Sequence, residues 1–196
     1  FENINTVKTY YSQYSDEKGL VPFDIAPRIT QWANETGRHK LKIALGVYVF
    51  REKVDDCLNE LTCSDWTTDQ VNAAKRAIDE YPERLHSIIV GNEDAQDTKV
   101  AARIVERFGD ISQHLKSKNA QDRIRVATAQ TLPFAQSILN NPTANKQFLD
   151  ALKSYNVQLG INVYPYWGNT KYQDAKQSFK STWDKLLDQC KQHQLD

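Results

Sequence analysis

The chain has 196 residues, enough to bury a sizeable core yet short of the ~250 typical of an eight-stranded α/β barrel. Its 25 basic and 25 acidic residues cancel, so nothing electrostatic calls for a polyanionic partner such as nucleic acid, and no apolar run approaches the ~18 residues needed to cross a bilayer. Methionine is absent and the sequence opens Phe1-Glu2, which reads as a processed or truncated product whose amino end says nothing of targeting.

In chain order, five β-rich segments alternate with longer helical ones: residues 4–10, 41–47, 87–90, 124–129 and 158–163. Such alternation predicts parallel βα units in one domain covering residues 1–196, since no Gly/Ser tract, charge block or composition shift marks a linker. Ile25, Ile29, Trp32 and Ala33 share a helical face, with Gly37 placed to end it. Residues 51–66 read as an insertion after a strand. Thr67 and Gln70 have the spacing of a capping box, and the helix after them repeats Val71, Ala74, Ile78 and Tyr81 until Pro82 stops it. Ala101, Ile104, Phe108, Ile111 and Leu115 mark the next helix, with Gly109 a weak point inside it. Phe148, Leu149 and Leu152 mark a later one, and the last runs to about Cys190, which shares its apolar face with Phe179, Trp183 and Leu187 and reads there as a small buried hydrophobe.

Several chemistries find no support. Cys57, Cys63 and Cys190 form neither a metal cluster nor a disulfide scaffold, and no His/Cys/carboxylate group has metal spacing. Cys57 and Cys63 fit a local bridge as readily as two free thiols. His39 and His86 read as exposed or structural, the Arg123-Ile124-Arg125 pair as the solvated approach to a strand, and Asn34-Glu35-Thr36 as a glycosylation pattern short enough to arise by chance. No glycine-rich phosphate loop occurs, so a nucleotide-binding sheet has no support and no cofactor is expected, and nothing marks any serine as a nucleophile elbow.

One segment stands apart. In Ile88-Ile89-Val90-Gly91-Asn92-Glu93 an apolar run stops at a glycine and presents Asn-Glu where a strand's carboxyl end should lie. Loops at such ends carry the active site of parallel barrels, and glycoside hydrolysis uses two carboxyl groups, one of which protonates the leaving oxygen. Glu93 is the candidate acid. Later, Gly160-Ile161-Asn162-Val163-Tyr164-Pro165-Tyr166-Trp167-Gly168 runs from an apolar strand into an aromatic loop. Each of Tyr164, Tyr166 and Trp167 taken alone reads as rim packing; as a cluster around a proline they supply flat faces on which a sugar ring can stack.

These two segments resemble glycoside hydrolase family 17, the β-1,3-glucan hydrolases and their transferase relatives, which carry V-G-N-E around the acid/base glutamate and N-V-Y-P-Y/F two strands later. The resemblance extends to Val7-Lys8-Thr9-Tyr10, similar to the second barrel strand but with lysine where many members have arginine; to Leu45-Gly46-Val47; and to Val126-Ala127-Thr128-Ala129, with alanine where relatives often have serine. It implies a (β/α)8 TIM barrel of which this chain holds about strands 2 to 6 with their helices.

By the same resemblance Glu93 is the general acid/base, Asn92 hydrogen-bonds the sugar 2-hydroxyl, and Tyr10, Tyr164, Tyr166 and Trp167 contact substrate. The implied protein is a retaining β-1,3-glucan hydrolase, monomeric and secreted or held in the cell wall, with a polysaccharide partner and no metal or cofactor. The family's nucleophile motif, E-[ST]-G-[WF]-P on the seventh strand, is expected beyond Asp196, so the isolated chain is expected to be inactive. A glucanosyltransferase on the same scaffold is the alternative, as is a non-catalytic glucan-binding protein if the chain is naturally complete.

Overall fold

The structure, a computed structural model, describes residues 6–10, 12–16, 19–22, 35–36, 41–49, 63–162 and 172–195. Seven strands and five helices are defined within them: β1 (Thr6–Lys8), β2 (Gln13–Asp16), β3 (Gly19–Pro22), β4 (Lys42–Val47), α1 (Cys63–Glu80), β5 (Leu85–Asn92), α2 (Thr98–Ser117), β6 (Arg125–Thr131), α3 (Leu132–Asn140), α4 (Lys146–Ser154), β7 (Gln158–Asn162) and α5 (Tyr172–Gln192). The main sheet has five parallel strands in the order β1-β4-β5-β6-β7, while β2 and β3 form a separate antiparallel hairpin. Because that order never reverses, successive right-handed crossovers place the helices on one side of the sheet, as in an α/β barrel rather than a doubly wound sheet. The sheet curls into an incomplete barrel.

Alternation along the strands divides core from interior. Ile43, Leu45 and Val47 of β4, Ile88 and Val90 of β5, and Val126 of β6 turn to the helices and join one buried cluster with Val71, Ala74 and Ile78 of α1 and Ile104, Phe108, Ile111 and Leu115 of α2. Edge-to-face contacts of Phe148 with Phe108 and Phe134 tie α4 to α2 and α3. Each of the fully buried isoleucines contributes about 1.5–3 kcal/mol through burial, so this helix-facing layer carries most of the stability of the sheet.

Several sequence expectations are corrected here. Helix α1 begins at Cys63, four residues before the expected cap, so Thr67 and Gln70 lie inside it and both are buried. The S/T-x-x-Q spacing of a capping box is also the spacing of two residues on one helical face, and Gln70 uses its Oε1 to accept the Ser12 N–H at 2.6 Å. Gly109 does not interrupt α2, which is continuous from Thr98 to Ser117. A Cβ there would lie 3.2 Å from the Tyr155 hydroxyl, so the small residue lets that ring pack across the helix.

On α5 the expected apolar face is not the buried one. Leu186 is 2% exposed, whereas Phe179, Trp183 and Leu187 are 42%, 42% and 40% exposed, with the two rings stacked on each other at 6.2 Å. The helix carries two apolar ridges. The one that docks holds Leu186 and the half-buried Cys190, and it is fastened to α3 by Gln189 to Asn140 and by His193 Nε2 donating to the Leu139 carbonyl. Helix α3 and the β2–β3 hairpin have no counterpart in the sequence reading. The helix of residues 25–33 lies outside the described residues, as does most of the 51–66 insertion.

Candidate active site

The site begins with an extra residue in β5. Ile89 pairs with Ala127, and the next pair is Asn92 with Ala129, three steps on one strand against two on the other. This is a β-bulge, centred on Gly91 at φ +75°. Without it Asn92 would follow Ile88 and Val90 beneath the helices. With it Asn92 turns to the opposite face, where the register also puts Lys8 (paired with Ala44) and Asn162 (paired with Thr131). Glycine is required at 91 for space as well as for φ, since a Cβ would come within 2.5 Å of Ile104 Cδ1.

Glu93 follows in the left-handed region at φ +63°, uncommon for a residue with a side chain. Its backbone N–H donates to the Ala129 carbonyl at 2.8 Å, which anchors the turn to β6. Its carboxylate Oε1 accepts from Asn162 Nδ2 at 2.7 Å, and the same Nδ2 lies 3.2 Å from Asn92 Oδ1. From the other side Lys8 Nζ donates to Asn92 Oδ1 at 3.0 Å and stands 4.9 Å over the Tyr10 ring. Residues from β1, the end of β5 and the end of β7 thus meet in one polar cluster at the carboxyl ends of the strands. The register places mostly small residues on the same face, Ala44, Ser87, Ala127, Ala129 and Gly160, together with Ile89.

Burial lowers the pKa of Lys8, and the negative charge of Glu93 opposes that shift. Chemically the cluster provides a carboxyl group able to exchange a proton, an amide beside it, a cation, and the exposed ring of Tyr10 at the rim. Among the described residues no group of His, Cys, Asp and Glu is arranged to hold a metal ion, and no helix is long and apolar enough to cross a membrane.

Of the residues singled out in the sequence, the structure brings together Glu93, Asn92 and Tyr10. Tyr164, Tyr166, Trp167 and Cys57 lie outside the described residues, and Cys63 is described only as the first residue of α1. Cys190 is a free thiol whose pKa is raised by burial. Sequence reasoning did not single out Lys8 or Asn162 as site residues. The available signal was their position, each at the carboxyl end of a predicted strand, where side chains converge in a parallel barrel.

No family model and no curated protein sequence matches the chain. Among solved structures, an endo-laminarinase from Formosa Hel1_33_131 matches 99% of this chain at a TM-score of 0.70 and 16% identity. A β-1,3-glucanase and pollen allergen of Cryptomeria japonica, CJP38, matches 84% of it at a TM-score of 0.42 and 15% identity. The chain spans 55% of the first protein and 56% of the second. The first match establishes that the fold is shared with that enzyme over the length of this chain.

Proposed function

We propose that these residues form part of a retaining glycoside hydrolase acting on β-1,3-glucan, with Glu93 as its general acid/base. The observation that carries this reading is the placement of Glu93: a carboxyl group at a strand's carboxyl end, turned into the interior by a bulge and fixed through Asn162 beside Asn92. The resemblance of the Val90-Gly91-Asn92-Glu93 and Asn162-Val163-Tyr164-Pro165-Tyr166 segments to glycoside hydrolase family 17, and a fold shared with an endo-laminarinase, support the substrate class.

In such a mechanism Glu93 protonates the departing glycosidic oxygen while a second carboxylate attacks the sugar carbon, and Glu93 then deprotonates the water that releases the product. Asn92 hydrogen-bonds the sugar, and Tyr10, Tyr164, Tyr166 and Trp167 offer ring faces to glucose units. We place the attacking carboxylate on a further strand beyond Asp196, and the enzyme outside the cell or in the cell wall, where a polymeric glucan is found.

Titration of the chain with β-1,3-linked and β-1,4-linked glucose hexamers tests the substrate class. Backbone amide resonances of Gly91, Asn92 and Glu93 should shift with the β-1,3-linked hexamer and stay in place with the β-1,4-linked one. Equal shifts with both would remove the β-1,3 assignment.

A further inference from the structure

Asn92 and Asn162 carry amide groups whose two ends differ only in whether they donate or accept. Lys8 removes that ambiguity. An ammonium can only donate, so the end of the Asn92 amide 3.0 Å from Lys8 Nζ must be the oxygen. The Asn162 atom that reaches this same oxygen at 3.2 Å must then be its NH2, and that group also reaches Glu93 Oε1 at 2.7 Å. Lys8, Asn92, Asn162 and Glu93 therefore form a directed chain: Lys8 can only donate at one end, an ionised Glu93 can only accept at the other, and when Glu93 is neutral and could itself donate, Lys8 still fixes the sense.

We infer that Lys8 is a positioning residue which, through Asn92 and Asn162, selects the oxygen of Glu93 that carries the transferable proton. Oε1 accepts from Asn162, so the neutral acid bears its proton on Oε2. When that proton passes to a leaving oxygen, the negative charge spreads over both carboxylate oxygens and the Asn162 bond becomes charge-assisted, a stabilisation felt after transfer more than before it. The commitment of Asn92 Oδ1 to two donors also leaves its NH2 as the end that can meet a sugar hydroxyl. This inference rests on the acid/base reading of Glu93 and adds to it which side chains fix the acid's orientation.

The experiment uses the isotope-labelled 196-residue chain without any glucan. A scalar coupling across the hydrogen bond from Asn162 Nδ2 to Glu93 Cδ should be visible in the unsubstituted chain, and the Asn162 side-chain amide protons should move with the ionisation of Glu93. At a pH where Glu93 is neutral, the coupling should disappear in Lys8→Met and weaken in Lys8→Gln, whose amide imposes no single polarity, and return in Lys8→Arg, which again can only donate. Absence of the coupling in the unsubstituted chain overturns the inference. So does its persistence at full strength in Lys8→Met or, should that variant not fold, in Lys8→Gln. Because no substrate is present, failure here leaves the acid/base role of Glu93 to be decided separately by hydrolysis, and a failed hydrolysis test leaves this network standing.

Discussion

Asn162 Nδ2 and Glu93 Oε1 are 2.7 Å apart although 69 positions separate the two residues in the chain. That contact crosses β6, which lies between their strands, and it exists because the bulge at Gly91 sends Asn92 and Glu93 to the face of the sheet that Asn162 shares. The geometry of this corner of the site therefore depends on one backbone irregularity.

Gly91→Ala should disturb that irregularity directly. The added methyl meets Ile104 and the backbone is held at a positive φ, so unfolding by urea should show a loss of about 2–4 kcal/mol. The Asn162 to Glu93 contact should weaken with it. A variant as stable as the parent would mean that the bulge is not held in this conformation.

The charge pair across the site gives a second expectation. Burial lowers the pKa of Lys8 and Glu93 raises it, so Glu93→Gln should lower it further, as read from the Lys8 Nζ resonance during a pH titration. A base with a depressed folded pKa binds fewer protons when folded than when unfolded. Its contribution therefore rises with pH between its folded value and the ordinary 10.5, and that interval should widen in Glu93→Gln. An unchanged or raised Lys8 pKa in the variant would show that the two charges do not interact.

Between α1 and α2, Asp79 accepts from His114 at 2.9 Å and from Lys118 at 3.0 Å. Burial opposes its ionisation, but the hydrogen bonds and charges of these two partners outweigh that and hold its pKa below the usual value of 3.8. Stability from this group is present above the unfolded-state value and is lost as pH falls through the lower folded one. Asp79→Asn should cost about 0.5–1 kcal/mol at neutral pH, screened by salt, and the difference from the parent should vanish in strong acid. A difference that persists there would assign the effect to packing.

The parallel strands and most helices were legible because hydrophobic periodicity reports on them directly, as for Ile104, Phe108 and Ile111 on α2. Helix α3 was not read as a helix because it starts with no loop after β6. Its signal was Thr131 followed by Pro133, and the Thr131 hydroxyl indeed accepts the Phe134 N–H. The β2–β3 hairpin is short and turns without an Asn-Gly or Asp-Gly pair, so neither alternation nor turn chemistry announced it. Glu93 and Asn92 were legible as a strand-end pair. Lys8 and Asn162 were marked only by lying near predicted strand ends; that they meet Asn92 and Glu93 depends on register and on the bulge, which sequence spacing does not encode. The stripe of Phe179, Trp183 and Leu187 shows the converse, for apolar periodicity marks a helix face without showing which face is covered.

The most direct test of the proposed function is Glu93→Gln, made in the catalytically competent polypeptide that carries these residues. Glutamine keeps the shape and hydrogen-bonding capacity of the side chain but has no proton to transfer. Hydrolysis of β-1,3-glucan should fall by ~10²- to 10⁴-fold in kcat while binding persists. A glycosyl fluoride or dinitrophenyl substrate, whose leaving group needs little protonation, should recover most of the first step, and added azide should restore the second by replacing the water that Glu93 activates. Unchanged hydrolysis of the polysaccharide in Glu93→Gln, or an equal loss on activated substrates, would contradict the assignment of Glu93 as the acid/base.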